Sequence, residues 1–415
     1  MPILQKLKSF WKSLGPGLIT GASDDDPSSI VVYSLAGAKF GLAALWTAVA
    51  TLPFMVILQR MAGRIGLVSG KGLAGNMKKH YPAWMLIAVT TLIVSINIIN
   101  IGADISGMAA AINLVIPISH LTLAILISAI IILITISVPY HFLARYLKWV
   151  AVVLFSYVAA AFLIQLDWKN IFYRAVVPQF ILSREYLAMI IAIFGTTISP
   201  YLFFWQALEE AEEEKAHNHQ RTKTLIKNEI GSMYKDVYVG MMFSNLITFF
   251  IIILGASTFF KNGITNIGTI GEIAGMLKPL AGQYASILFI IGIIASGVLA
   301  IPVLAGSAAY ALAELFGWKN GFDNGFHKAK QFHLVIVAAT IIGLLIPFFG
   351  FHPVQILYYT AVIFGLASPF LIFLVIHMAN NPKVMGVYTS RRHSNIIAYT
   401  LLTVMSAGAI LTLIL

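Results

Sequence analysis

An all-α integral membrane protein is the fold class that three observations predict. Of 415 residues, 59% are hydrophobic and only 10% are charged. The apolar residues fall in runs that approach or exceed the roughly 20 residues an α-helix needs to cross a hydrocarbon core. Short polar connections separate the runs and leave no room for a separate soluble domain, so residues 1–415 read as one transmembrane domain.

The runs place spans near 14–38, 42–62, 84–112, 120–138, 146–165, 186–208, 237–260, 282–312, 331–350, 353–378 and 395–415, eleven in all. Cytoplasmic connections of a polytopic protein carry the excess of Lys and Arg. With the N-terminus inside, 21 of the 27 basic residues fall on the inner side, including Lys6, Lys8 and Lys12 of a retained tail. A missed or invented helix would invert every later loop and spoil that bias. The formal charge of +11 is thereby accounted for by topology and anionic lipid, without nucleic acid. The predicted location is the plasma membrane of the cell. Zero cysteines exclude disulfides and thiolate metal sites.

The first span contains Asp24-Asp25-Asp26-Pro27-Ser28-Ser29. An acidic side chain near a bilayer centre is disfavoured by roughly 2.5–3.5 kcal/mol, so three ionised and facing lipid would exceed about 7 kcal/mol. They must face water, a partner or a cation. Of the sixteen acidic residues, only these three and Asp104 fall within spans away from their ends, and no Lys or Arg lies in the middle of any span. The missing positive charge is therefore read as the substrate. Asp24 and Asp25 taken singly also suit a solvated helix end beside a wide vestibule.

Two spans carry a proline break, at Asp26-Pro27-Ser28-Ser29 in the first and Gly195-Thr196-Thr197-Ile198-Ser199-Pro200-Tyr201 in the sixth. Proline removes an amide donor and clashes with the carbonyl one turn back, so carbonyls near 22–25 and 196–199 become candidates for binding a cation. Interrupted helices at corresponding places in two halves point to a transporter built from inverted repeats. The expected halves are about 14–165 and 186–378, five helices each, with an extra helix at about 395–415 and the site between spans 1 and 6.

Gly15-Pro16-Gly17, eight residues, then Asp26-Pro27 resembles the first-helix motif of the NRAMP metal-ion transporters, where Gly-Pro-Gly precedes Asp-Pro-Gly-Asn. The sixth span resembles the family's Ala-x-x-Met-Pro-His motif. The resemblance implies a LeuT-like fold, alternating access and a divalent metal ion held where helices 1 and 6 unwind. It implies Asp26 as the ligating carboxylate, Ser29 in place of the family's Asn, Ser199 in place of its Met, and the backbone carbonyl of Thr196. Asp24, Asp25, Tyr201 and Asp104 take supporting or vestibule positions.

The departures from the motif carry information of their own. Replacing Met by Ser199 removes the soft thioether that favours late transition metals and leaves an all-oxygen site. The family's tenth-helix glutamine is replaced by Ala361 or Ala367, so the cavity should be wider and wetter. Such a site suits Mg²⁺, which sheds water reluctantly, and Mn²⁺ as well. This resembles the NRAMP-related magnesium transporter branch. The family's sixth-helix His is Tyr201, and the third-helix acidic pair is reduced to Asp104, with Gly107 at the second position. No histidine falls mid-span to titrate near neutral pH. The expectation is uptake of Mg²⁺ or Mn²⁺ as substrate by a monomer, with neither proton coupling nor a cofactor. The alternatives are a proton-coupled Mn²⁺/Fe²⁺ carrier and, from another substrate class, a sodium-coupled organic-solute symporter, which three aspartates at the first break oppose. A channel or a metal sensor is a third class. No nucleophile and base pair indicates an enzyme.

Asp104 alone is read as a hydrogen-bonded packing residue. Glu209, Glu210, Glu212, Glu213 and Glu214 close the sixth span, with Glu209 roughly 14 Å beyond Pro200. They are read as a solvated acidic face, with a cation-gathering vestibule as the sharper alternative. Phe203, Phe204 and Trp205 are read as core packing.

Overall fold

The computed structural model describes residues 16–137, 153–216, 223–322 and 324–414, and no strand occurs among them. The principal helices are α1 (Pro16–Asp24), α2 (Pro27–Phe40), α3 (Trp46–Ser69), α4 (Ala83–Asn113), α5 (His120–Ser137), α6 (Val153–Phe162), α7 (Arg184–Thr197), α8 (Pro200–Ala216), α9 (Lys223–Thr258), α10 (Ala285–Phe316), α11 (Lys330–Leu344), α12 (Pro353–Asn380) and α13 (Arg392–Ile414). Among the described residues, nine helical stretches are long and apolar enough to cross a membrane, with α7 and α8 forming one of them. The broken first span (α1 and α2) and α6 complete the predicted eleven. The first part of the fifth predicted span lies outside the described residues.

Both breaks are two residues long, Asp25-Asp26 and Ile198-Ser199, and in each a proline opens the next half-helix. Proline forces the residue before it out of the α region, which is why Asp26 is extended at φ −71°, ψ 172°. The same proline suits the first helical position, where its missing amide costs nothing. The break and the restart therefore have one cause.

Several helices outrun their predicted bounds, α8 and α9 the furthest. α9 begins at Lys223 and α8 continues to Ala216. Polar residues such as Glu209 and Glu229 lower the local hydropathy while remaining good helix formers. Hydropathy therefore marks the edge of the apolar segment, and the helix runs past it.

The first span packs along α9 (the seventh), and α8 (the sixth) packs along α3 (the second). Exchanging the two five-helix halves converts one pair into the other. The pairs α4 with α10 and α3 with α9 are carried into themselves by the same exchange. This pattern belongs to the LeuT-like fold.

Lipid tails are as apolar as the side chains, so such helices associate through close packing at small residues. A Cβ on Gly21 would stand 2.2 Å from the Gly240 carbonyl oxygen, and one on Gly66 would stand 1.7 Å from that of Ala207. A Cβ on Gly195 would fall 2.3 Å from the Gly365 nitrogen, joining α7 to α12. In each case the obstacle is backbone, which cannot swing aside. Overpacking of this kind costs about 1–3 kcal/mol or more. Gly66→Ala should therefore lower the thermal unfolding midpoint in detergent, whereas Gly231→Ala on α9, which meets nothing within 4 Å, should leave it unchanged or raise it.

Candidate ion-binding site

All four intramembrane carboxylates are buried. Asp24, Asp25 and Asp104 are 0% exposed and Asp26 is 3% exposed. The reading of Asp24 and Asp25 as solvated helix-end residues is thereby corrected, because α9 covers them. Ionised groups in such a place require partners.

Asp26 has them. Its Oδ1 accepts from the Ser28 hydroxyl and the Ser29 amide, each at 2.7 Å, and its Oδ2 accepts from the Asn100 amide group at 2.9 Å. It caps the N-terminus of α2, where the helix dipole also favours negative charge. Asp24 and Asp25 are served differently. A single hydroxyl, Ser244 of α9, lies 2.8 Å from Asp24 Oδ2 and 3.3 Å from Asp25 Oδ1. Asp24 Oδ1 and Asp25 Oδ2 have no partner.

The carbonyls released at the breaks are held by hydroxyls from within the site. Tyr201 donates to Ser23 O at 2.9 Å and Ser29 to Asp24 O at 2.7 Å. Ser199 donates to Thr196 O at 2.5 Å. The expected ligands Ser29 and Ser199 thus satisfy break carbonyls in this arrangement, the second of these being the expected Thr196 carbonyl, and Ser199 also interacts with the Asp24 carboxyl. Tyr33 of α2 ties the two breaks together through Thr197 at 3.0 Å and Thr196 at 3.4 Å. Among the described residues, no three carboxylates or histidines converge closely enough to hold an ion.

Asp104 is buried as a packing residue would be, with the Ser28 amide facing its carboxyl at a geometry looser than a full hydrogen bond. At Gly107 a Cβ would meet Leu357 at 2.9 Å and Pro27 at 3.6 Å, so the space that an acidic side chain would need there is already filled. Of the two alanines at the tenth span, Ala361 is the one that meets the sixth-span break region, its carbonyl 2.4 Å from a Cβ on Gly195.

Glu209 and Glu210 are buried, at 6% and 5% exposure, which corrects the solvated-face reading for these two. A chain of hydrogen bonds reaches Glu210, in which Thr20 donates to Gln206 at 2.7 Å and Gln206 to Glu210 at 2.8 Å, joining α1 to α8. Beside it Asp236 of α9 accepts the Gly17 amide at 2.6 Å, a carboxylate at the N-terminus of α1. Phe203, Phe204 and Trp205 are core residues, as read.

Ser244, Asn100 and Tyr33 were not singled out in the sequence. One signal for Asn100 exists there. Asn97, Asn100 and Asp104 stand at i, i+3 and i+7, on one face of α4. Asn97 uses that face to reach α10, donating to Leu304 O at 3.0 Å and Ser307 at 3.2 Å.

Removing the Tyr201 hydroxyl leaves the Ser23 carbonyl buried and unpaired, at a cost of about 1–3 kcal/mol. Tyr201→Phe should accordingly unfold at lower temperature than the unaltered protein, as read by thermal melting in detergent.

The pattern that defines the Nramp family, natural resistance-associated macrophage protein-like, matches residues 17–415. The chain is 26% identical over 408 residues to the divalent metal cation transporter MntH of Agrobacterium fabrum, covering 95% of this chain and 85% of that one. The fold resembles the Eremococcus coleocola manganese transporter, with a TM-score of 0.75 at 16% identity over 98% of this chain and 87% of that one. It also resembles MhsT, crystallised with L-phenylalanine, with a TM-score of 0.65 at 13% identity over 97% and 98% of the two chains.

Proposed function

The chain belongs to the Nramp family, and from that premise we propose that it carries divalent metal ions, Mg²⁺ and also Mn²⁺, across the cell membrane by alternating access. The observation that carries the reading is the set of four buried carboxylates beside two broken helices. Among the described residues, the buried Arg64 and the half-buried Arg60 are engaged with Tyr234 and Ser390, at the Ser69 end of α3. A divalent cation is the charge that the first break lacks. The names borne by relatives, divalent metal cation transporter and manganese transporter, support the same class.

In this reading Asp26 is the principal ligand, with the Ser29 hydroxyl, the Thr196 carbonyl and the Ser199 hydroxyl completing an all-oxygen set. An ion entering between Thr196 O and Ser199 Oγ takes the place of one internal hydrogen bond, so the hydroxyl turns from capping a carbonyl to ligating the ion. Asn100 holds Asp26 in place from α4. With no thioether, the donor set suits Mg²⁺ and Mn²⁺ over soft metals. The protein acts as a monomer with its N-terminus in the cytoplasm, its repeats near 14–165 and 186–378. It is a carrier and not an enzyme.

Transport is driven by the ion's own gradient. Tyr201, at the position of the family's histidine, is committed to the Ser23 carbonyl, and Gly107 leaves the third helix with Asp104 alone. Proteoliposomes should take up Mg²⁺ and Mn²⁺ without lumenal acidification, and acidification in step with metal influx would refute this. Asp26→Ala should reduce influx by more than about 100-fold, beyond the roughly 10–100-fold loss expected for a merely supporting group. Normal influx in that variant would sink the assignment. Ser199→Met, which restores a thioether, should confer Cd²⁺ uptake at the expense of Mg²⁺.

A further inference from the structure

We propose that Asp24, Asp25 and Ser244 form a second cation position, separate from the Asp26 set, which takes a divalent ion with part of its water shell retained. The inference rests on the reading of the chain as a divalent-metal carrier and adds to it a site on the α9 flank of the first break.

Three geometric facts separate the two positions. Asp26 turns to Asn100 of α4, whereas Asp24 and Asp25 turn to Ser244 of α9. α4 and α9 share no packed interface. Three donors already settle Asp26, whereas Asp24 and Asp25 share the Ser244 hydroxyl and only Asp24 has a second hydroxyl, that of Ser199, acting on it, which leaves one oxygen of each without a partner.

The helix ends reinforce the contrast. Asp26 stands at the N-terminus of α2, the positive end of a helix dipole, and Asp24 is the last residue of α1, at the negative end. Its charge and that of Asp25 add to a potential already negative. The two orphaned oxygens, Asp24 Oδ1 and Asp25 Oδ2, are therefore the least compensated acceptors in the first break.

The Tyr157 side chain of α6 is also buried, its hydroxyl without a hydrogen-bond partner, and the field of Asp25 reaches it. Asp24 and Asp25 act likewise on Tyr33, whose hydroxyl rests on Thr196 and Thr197. The combined charge of the two carboxylates, when ionised, matches one divalent ion.

The spacing decides how that ion is held. The carboxylate oxygens that share Ser244 are at most about 6 Å apart, given its 2.8 and 3.3 Å contacts. Mg²⁺ takes six oxygens in octahedral geometry and sheds water reluctantly, so two carboxylates this close supply two ligands and leave the other positions to water. A partly hydrated ion fits, as befits a holding position from which the ion passes on to Asp26.

Equilibrium dialysis of the purified full chain against Mn²⁺, with Mg²⁺ as competitor, tests the inference. The unaltered protein should bind two equivalents. Asp26→Asn should retain one, and adding Asp24→Asn and Asp25→Asn should remove it. Ser244→Ala should weaken the retained equivalent while leaving the Asp26-dependent one in place, and thermal melting identifies any variant that fails to fold. A single equivalent lost by substituting Asp26 alone, or unchanged Mn²⁺ binding when both Asp24 and Asp25 are substituted, overturns the second position and leaves the carrier reading intact. No Mn²⁺ or Mg²⁺ bound by any form overturns the carrier reading itself.

Discussion

A carboxylate without a partner in a membrane interior is the condition around which the rest of this molecule is arranged. Asp24 and Asp25 share the Ser244 hydroxyl, and that hydroxyl arrives because α1 and α9 approach to backbone contact. Gly21 and Gly240 meet one turn before Asp24 and Ser244 on their respective helices. Any side chain at either glycine would push Ser244 out of reach. The same device recurs at the second break, where Gly195 meets Gly365 one turn before Ser199. Small residues here set the distance at which polar groups meet, which is a stronger demand than helix association alone makes.

The two breaks share their backbone chemistry and differ in charge. Each is two residues long, each ends at a proline, and in each a serine hydroxyl holds a released carbonyl. These hydroxyls satisfy the backbone when no ion is present and are mobile about one torsion, so exchanging a carbonyl for an ion requires little movement of the main chain. The acidic residues belong to the first break alone. That asymmetry lets one half of the molecule supply charge and the other supply neutral oxygen, which suits an ion that exchanges ligands readily.

Much of this was legible in the sequence, for reasons particular residues make clear. Apolar runs give the spans, Pro27 and Pro200 give the breaks, and the lack of mid-span lysine or arginine marks Asp24, Asp25 and Asp26 as requiring a cation. The partners of those residues were not legible. Ser244 stands 220 positions from Asp24, and Asn100 stands 74 from Asp26. Nothing local selects one mid-membrane serine or asparagine from the rest, although the spacing of Asn97, Asn100 and Asp104 does mark a polar face. Glu209 and Glu210 were misread for a related reason. A charged run at a helix end looks solvated until a helix from elsewhere in the chain, here α1 through Thr20, closes over it.

Dipole direction then gives the three adjacent aspartates unequal roles. Consecutive residues at a helix break fall on opposite ends of two dipoles, so Asp26 is settled by the helix it opens while Asp24 and Asp25 are left opposed by the helix they close. A well-compensated carboxylate binds an ion without needing it for its own solvation. An uncompensated pair gains more from the ion's arrival, and attracts it sooner. In the proposed carrier, placing the two kinds side by side would give a gradient of cation affinity across a single unwound turn, with the steep end where the ion is still partly hydrated and the settled end at the proposed Asp26 ligand set.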